Sequence, residues 1–164
     1  MKSPLVFFLF FILNIWGQES DYLLGIIQRS DLEKDVYGEW FDENYDSHLL
    51  DISLIYDLKN AFDDVQVTVF MGTWCSDSQR EVPAFFKILD AIDEQISIRL
   101  IAVDEDKMVP DGSATDSGIE YVPTFIFSKN GQEINRIVEF PIFSLEKDML
   151  DILLGMDYKN AYDL

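Results

Sequence analysis

The stretch GTWCSDSQRE, residues 72–81, holds the single cysteine of the chain, Cys75, directly after Trp74 and with Ser78 three positions on. A cysteine thiolate is the nucleophile that attacks disulfide sulfur. The flanking residues bear on whether this one reacts. VQVTVFM, 65–71, is β-branched and apolar and predicts a buried strand. SQREVPAFFKILDAI, 78–92, places Val82, Phe85, Phe86, Leu89 and Ile92 on one side of an amphipathic helix. Cys75 therefore falls between a strand end and a helix start, where unpaired N–H groups and the helix dipole stabilise an anion. Asp77 opposes this if its carboxylate lies close, because a like charge disfavours the thiolate. The competing reading is an inert thiol used for packing. A strand-to-helix loop is a poor place for such a core residue.

The remaining elements follow from hydrophobic period and turn chemistry. Residues 19–34 space their apolar side chains loosely at helical intervals and predict a short helix. The next stretch, to about residue 51, is dense in aromatics and acids. Trp40, Phe41 and Tyr45 are its expected anchors, and Trp40 could either fill the core or reach the cysteine. SLIYDLKNAF, 53–62, carries one apolar stripe and predicts a helix. The helix after the cysteine has two overlapping capping boxes, Ser76 to Gln79 and Ser78 to Glu81, and an internal Pro83 that removes a hydrogen bond. ISIRLIAVD, 96–104, predicts a second strand, so a right-handed β-α-β crossover is the default. Residues 105–121 form an acidic, turn-rich loop of a length often tied to function. PTFIFS and EINRIVEF flank KNGQ as a hairpin, and residues 144–155 close the chain as an amphipathic helix stopped by Gly155. This order predicts an α/β fold: a mixed sheet, β-α-β then β-hairpin and α, flanked by helices, with an N-terminal helical extension.

The chain has 164 residues, with 12 Lys and Arg against 31 Asp and Glu, a net charge of −19. That surface repels phosphates and anionic headgroups, so no nucleic-acid partner is expected. One cysteine forbids an internal disulfide, and stability must come from the core. Lys2 followed by the apolar run LVFFLFFILNIW and the small Gly17 has the layout of a secretory signal, and the run is short against the ~20 residues of a membrane span. The expected organisation is a signal peptide over 1–17, an N-terminal helical and aromatic extension over 18–52, and the main domain over 53–164. The product would be exported, periplasmic or secreted, without stable membrane association after cleavage. Disulfides persist in such compartments, and an odd cysteine there suggests a reactive or intermolecular thiol.

Two motifs together resemble those of thioredoxin-like proteins. VFMGTWCSDSQREVP matches their active-site region: a strand, Trp-Cys-x-x, then a helix with a proline eight positions after the cysteine. YVPTFIFSKNGQEI resembles their second signature, an apolar residue, proline, threonine and a strand leading into a hairpin. The resemblance covers about residues 53–155 and is nearest to exported members that read Trp-Cys-x-Asp-Ser. It implies that the Val122–Pro123 bond is cis and packs beside Cys75. It also implies that Val122, Pro123 and Thr124 border a groove for an extended substrate, with Trp74 flanking the thiol. The departures are equally informative. Ser78 stands where the family's resolving cysteine stands, Asp77 replaces a common proline, and Val69 takes the place of a buried acid. With one thiol in the chain, what remains is monothiol exchange: Cys75 attacks a disulfide, and a second thiol from outside releases it.

Expected partners are therefore protein or low-molecular-weight thiols and disulfides, with no cofactor. The alternative is a thioredoxin-fold binding module in which Cys75 is incidental, and Asp77 and Ser78 both favour it. A cluster-binding monothiol reading is opposed by the signal-like segment and by Trp74. A peroxidatic reading lacks the expected proline and threonine, with Thr68 and Gly72 at those positions. His48 is the only histidine, and Asp104, Glu105, Asp106 and Asp111 lack the spacing of a calcium loop, so no metal is expected.

Overall fold

The computed structural model describes residues 22–93, 96–112, 114 and 117–163. The expected signal peptide, 1–17, and residues 18–21 lie outside the described residues. In chain order the elements are β1 (Gly25–Ile27), α1 (Arg29–Leu32), α2 (Asp35–Ser47), α3 (Ile52–Ala61), β2 (Val65–Met71), α4 (Ser76–Ile92), β3 (Ser97–Ala102), β4 (Thr124–Lys129), β5 (Gln132–Val138) and α5 (Leu145–Leu153). The strands form one mixed sheet in the order β1-β3-β2-β4-β5. β2 runs parallel to β3 and antiparallel to β4, while β1 and β5 pair antiparallel to β3 and β4. The mixed sheet flanked by helices is the predicted architecture.

Side-chain alternation along the strands separates two cores, because successive residues point to opposite faces. Val67, Val69, Met71, Leu100, Ala102, Phe125 and Phe127 join the main cluster with the apolar sides of α3, α4 and α5. Phe70, Ile101 and Ile126 face the other way and join a smaller cluster with Val103, Val109, Ala114 and Val122. Cys75 and Trp74 pack against this second cluster, whereas Trp40 packs against the main one. The predicted long loop thus has a structural job: its buried Val109 and Ala114 pack on the apolar sheet face formed by Phe70, Ile101 and Ile126.

The hairpin turn needs positive φ at both central residues, and Asn130 and Gly131 supply it at 54° and 75°. The predicted helix over 19–34 is corrected. Its described part is the edge strand β1 followed by the single turn α1. Gly25 sits at φ 86°, outside the helical region, and Ile27 is buried in the main core. The aromatic stretch that follows is helix α2, with Phe41 buried and its ring 6.2 Å from that of Phe86.

After α5 the chain returns along the sheet edge. Asn135 donates its side-chain amide to the Tyr158 carbonyl at 3.0 Å. The Tyr158 hydroxyl donates to Asp148 at 3.0 Å, and the same carboxylate accepts the N–H groups of Ile142 at 2.5 Å and Phe143 at 3.2 Å. Asp148 is fully buried, and burial pushes its carboxyl up while these donors pull it back. Replacing Asp148 with Ala strands three donors around one buried site. The Asp148→Ala chain should lose about 3 kcal/mol of unfolding free energy, read as a lower urea midpoint at unchanged slope.

Candidate active site

α4 begins one residue after Cys75, which is its N-cap: the Cys75 carbonyl accepts the Gln79 N–H at 3.0 Å. Neither predicted capping box forms, because Ser76 and Ser78 are already inside the helix. The Cys75 side chain makes no capping bond, so the thiol stands at a helix end whose first-turn N–H groups it does not occupy. The thiol is half-buried and donates to the Val122 carbonyl at 3.2 Å. The Val122–Pro123 bond is cis. Elements distant in sequence thus bring Cys75, Val122 and Pro123 together, as the resemblance implies.

Each neighbour of the thiol is fixed from behind. Trp74 donates its indole N–H to the Val103 carbonyl at 2.9 Å. Its ring lies so close to Gly72 that a Cβ there would sit 2.5 Å from a ring carbon. Lys107 carries its ammonium over the same ring at 5.9 Å from the centroid. The Ser78 hydroxyl is fully buried and accepts the Gly72 N–H at 3.1 Å, so the place of a resolving thiol is filled by a structural hydrogen bond. Thr124 donates its hydroxyl to the Tyr121 carbonyl at 2.7 Å, which pins the turn before β4. Thr73 and Gln79 complete the support: Leu23 N–H donates to the Thr73 hydroxyl, and the Gln79 amide donates to the Thr73 carbonyl.

Charge around the thiol is organised by a residue that the motif reading passed over. Arg80 holds Asp77 at 2.7 Å and Glu81 at 2.7 Å. Its spacing of three from Asp77 on a helix was the available signal. The predicted opposition of Asp77 to a thiolate is therefore countered by a guanidinium one turn along. Glu81 is nearly buried, and burial pushes its carboxyl up against the pull of Arg80. In the acidic loop, Asp104 accepts the N–H groups of Asp106 and Met108 and shapes a turn. Among the described residues, no three His, Cys, Asp or Glu side chains converge as metal ligands.

The C-terminal segment supplies residues that no sequence period marked. Tyr162 stacks on Tyr121 with centroids 3.9 Å apart and planes at 11°, and its hydroxyl bonds the Glu139 carboxylate. Glu139 in turn donates its N–H to the Pro123 carbonyl at 2.7 Å. The tail is thereby tied to the segment that faces the thiol.

A cysteine at a helix N-terminus, beside a cis-proline that opens the next sheet strand, is the arrangement of thiol–disulfide oxidoreductase-type proteins. The comparisons with known proteins agree. The thioredoxin family model matches residues 31–151. A thioredoxin from Malassezia sympodialis is 36% identical over 77 residues, spanning 46% of this chain and 70% of that protein. A thioredoxin from Ictalurus punctatus is 38% identical over 79 residues, 48% of this chain and 71% of the relative. A solved structure of a protein of unknown function from Pseudomonas aeruginosa is similar in fold, with a TM-score of 0.62 at 16% identity, over 80% of this chain and 93% of that one. The chain belongs to the thioredoxin family.

The contact between Gly72 and Trp74 gives a direct test of how tightly the thiol's neighbour is held. Gly72→Ala forces the indole away from its bond to Val103 and should lower stability by about 1–3 kcal/mol, read from the urea midpoint.

Proposed function

We propose that this protein carries out monothiol thiol–disulfide exchange through Cys75 in an exported compartment. The observation that supports it best is the half-buried thiol at the start of α4, within hydrogen-bond reach of the Val122 carbonyl. The Cys75 sulfur, as thiolate, attacks one sulfur of a substrate disulfide. A new bond forms between the two sulfurs, the substrate bond breaks, and the other sulfur leaves as a thiolate that takes a proton from water. The mixed disulfide then waits for a second thiol from a protein or a small molecule. That thiol attacks the substrate sulfur and returns Cys75 as a thiolate. Trp74 and the Val122–Pro123 segment border the approach, and Thr124 holds that segment in place. Ser78 leaves the exchange without an internal resolving step. Export rests on the sequence of the first 17 residues.

A second reading, a binding module that keeps the fold and not the chemistry, draws on one observation. Ser78 is fully committed to the Gly72 N–H, so the second sulfur position is occupied by structure. Intact-mass measurement distinguishes the two. With the neutral hydroxyethyl disulfide, the natural chain should gain one thiol half at Cys75 and lose it when free thiol is added, while Cys75→Ser gains nothing. A natural chain that stays unmodified favours the binding module. For export, the N-terminus of protein recovered outside the cytoplasm should be Gln18. Protein that begins at Met1 and stays inside the cell contradicts it.

A further inference from the structure

The stacked pair Tyr121 and Tyr162 stands beside the thiol site. Tyr121 directly precedes Val122, whose carbonyl receives the Cys75 thiol. Both residues keep open surface, 38% for Tyr121 and 46% for Tyr162. Large aromatic rings left open next to a reactive centre are unusual candidates for mere surface cover. Several other aromatic rings carry one of the protein's own cations. Arg29 lies over Phe41, Tyr45 and Phe86, Lys87 over Tyr45, Lys107 over Trp74 and Lys147 over Phe143. Among the described residues, no cation lies over Tyr121 or Tyr162.

The surroundings of the pair are acidic. The Tyr162 hydroxyl bonds the Glu139 carboxylate. That bond, with burial and the charges of Glu139 and Asp77, pushes the Tyr162 hydroxyl up to about 12. Asp77, two residues after Cys75 in the first turn of α4 and paired with Arg80, adds a smaller negative contribution at the Tyr162 hydroxyl. An aromatic face with carboxylates at its edge attracts a cation through the ring quadrupole and through charge together.

We propose that Tyr121 and Tyr162, with Glu139, form a recognition shelf for a lysine or arginine side chain next to the disulfide of a substrate polypeptide. This deepens the exchange reading and rests on it. A substrate whose cysteine enters between Trp74 and Val122 would lay an adjacent residue against the pair. The shelf then selects basic polypeptide disulfides over acidic ones, and it acts on binding rather than on the sulfur chemistry.

The test uses the full chain and two synthetic disulfide-linked peptides that differ only in a lysine or a glutamate beside the cysteine. The rate of mixed-disulfide formation at Cys75 is measured for each, with hydroxyethyl disulfide as a neutral probe. The natural chain should prefer the lysine peptide, and Tyr162→Ala should cut the lysine-to-glutamate rate ratio about fivefold. Glu139→Gln, which keeps the stack and removes the charge, should lower the ratio as well. The overall negative charge of the chain would also favour lysine, but that preference would survive in both variants. A ratio unchanged by Tyr162→Ala and Glu139→Gln, or a ratio near one in the natural chain, overturns the shelf while leaving the exchange reading intact. No reaction with hydroxyethyl disulfide overturns the exchange reading, and the shelf with it.

Discussion

The antiparallel pairing of β2 with β4 is the constraint on which the site depends. Phe70 lies opposite Thr124 in that ladder, so the end of β2 and the start of β4 meet at the same end of the sheet. Four residues of turn carry the chain from Met71 to α4, and Cys75 arrives beside Val122. A register slip of one residue would turn every side chain of β4 to the opposite face. Phe125 and Phe127 would leave the main core, and the Val122 carbonyl would move away from the thiol. Core packing and site geometry are therefore specified by the same register.

The second constraint is the chain's single thiol. In a dithiol site the partner cysteine both resolves the mixed disulfide and sits in the first turn of the helix. Here Ser78 retains only the positional part: its hydroxyl holds the Gly72 N–H and so helps hold the turn that carries Trp74 and Cys75. Val69, fully buried in the strand before the motif, fits the same pattern, because no group is needed there to act on a second thiol. Arg80 holds two carboxylates near the thiol and keeps a strongly acidic protein from placing an unpaired negative charge there.

Most of the scaffold was legible in the sequence. β2, α4 and β3 showed through unbroken apolar runs and a clear helical stripe, and the hairpin showed through Asn130-Gly131. The pairing of Cys75 with Pro123 came only through the family resemblance, since no local pattern links residues so far apart. β1 was not legible, because the three residues Gly25–Ile27 fit either period and are fixed as a strand by the edge of β3. The helix α2 was hidden by its composition, with aromatics and acids around much of its surface. The start of α4 was misplaced because the two serines satisfy a capping pattern that the backbone, turning at Cys75, does not use. Tyr162 could not be assigned at all: its role depends on how the tail folds back to Tyr121 and Glu139.

The central claim is that this fold activates Cys75 rather than sheltering it. The most direct measurement is the second-order rate of Cys75 with hydroxyethyl disulfide in the folded chain, compared with the same chain unfolded in urea at the same pH. The helix end and the partly exposed thiol predict a faster reaction in the folded protein, by about tenfold or more. A folded rate equal to or below the unfolded one would contradict the account and leave Cys75 a packing residue of a binding fold.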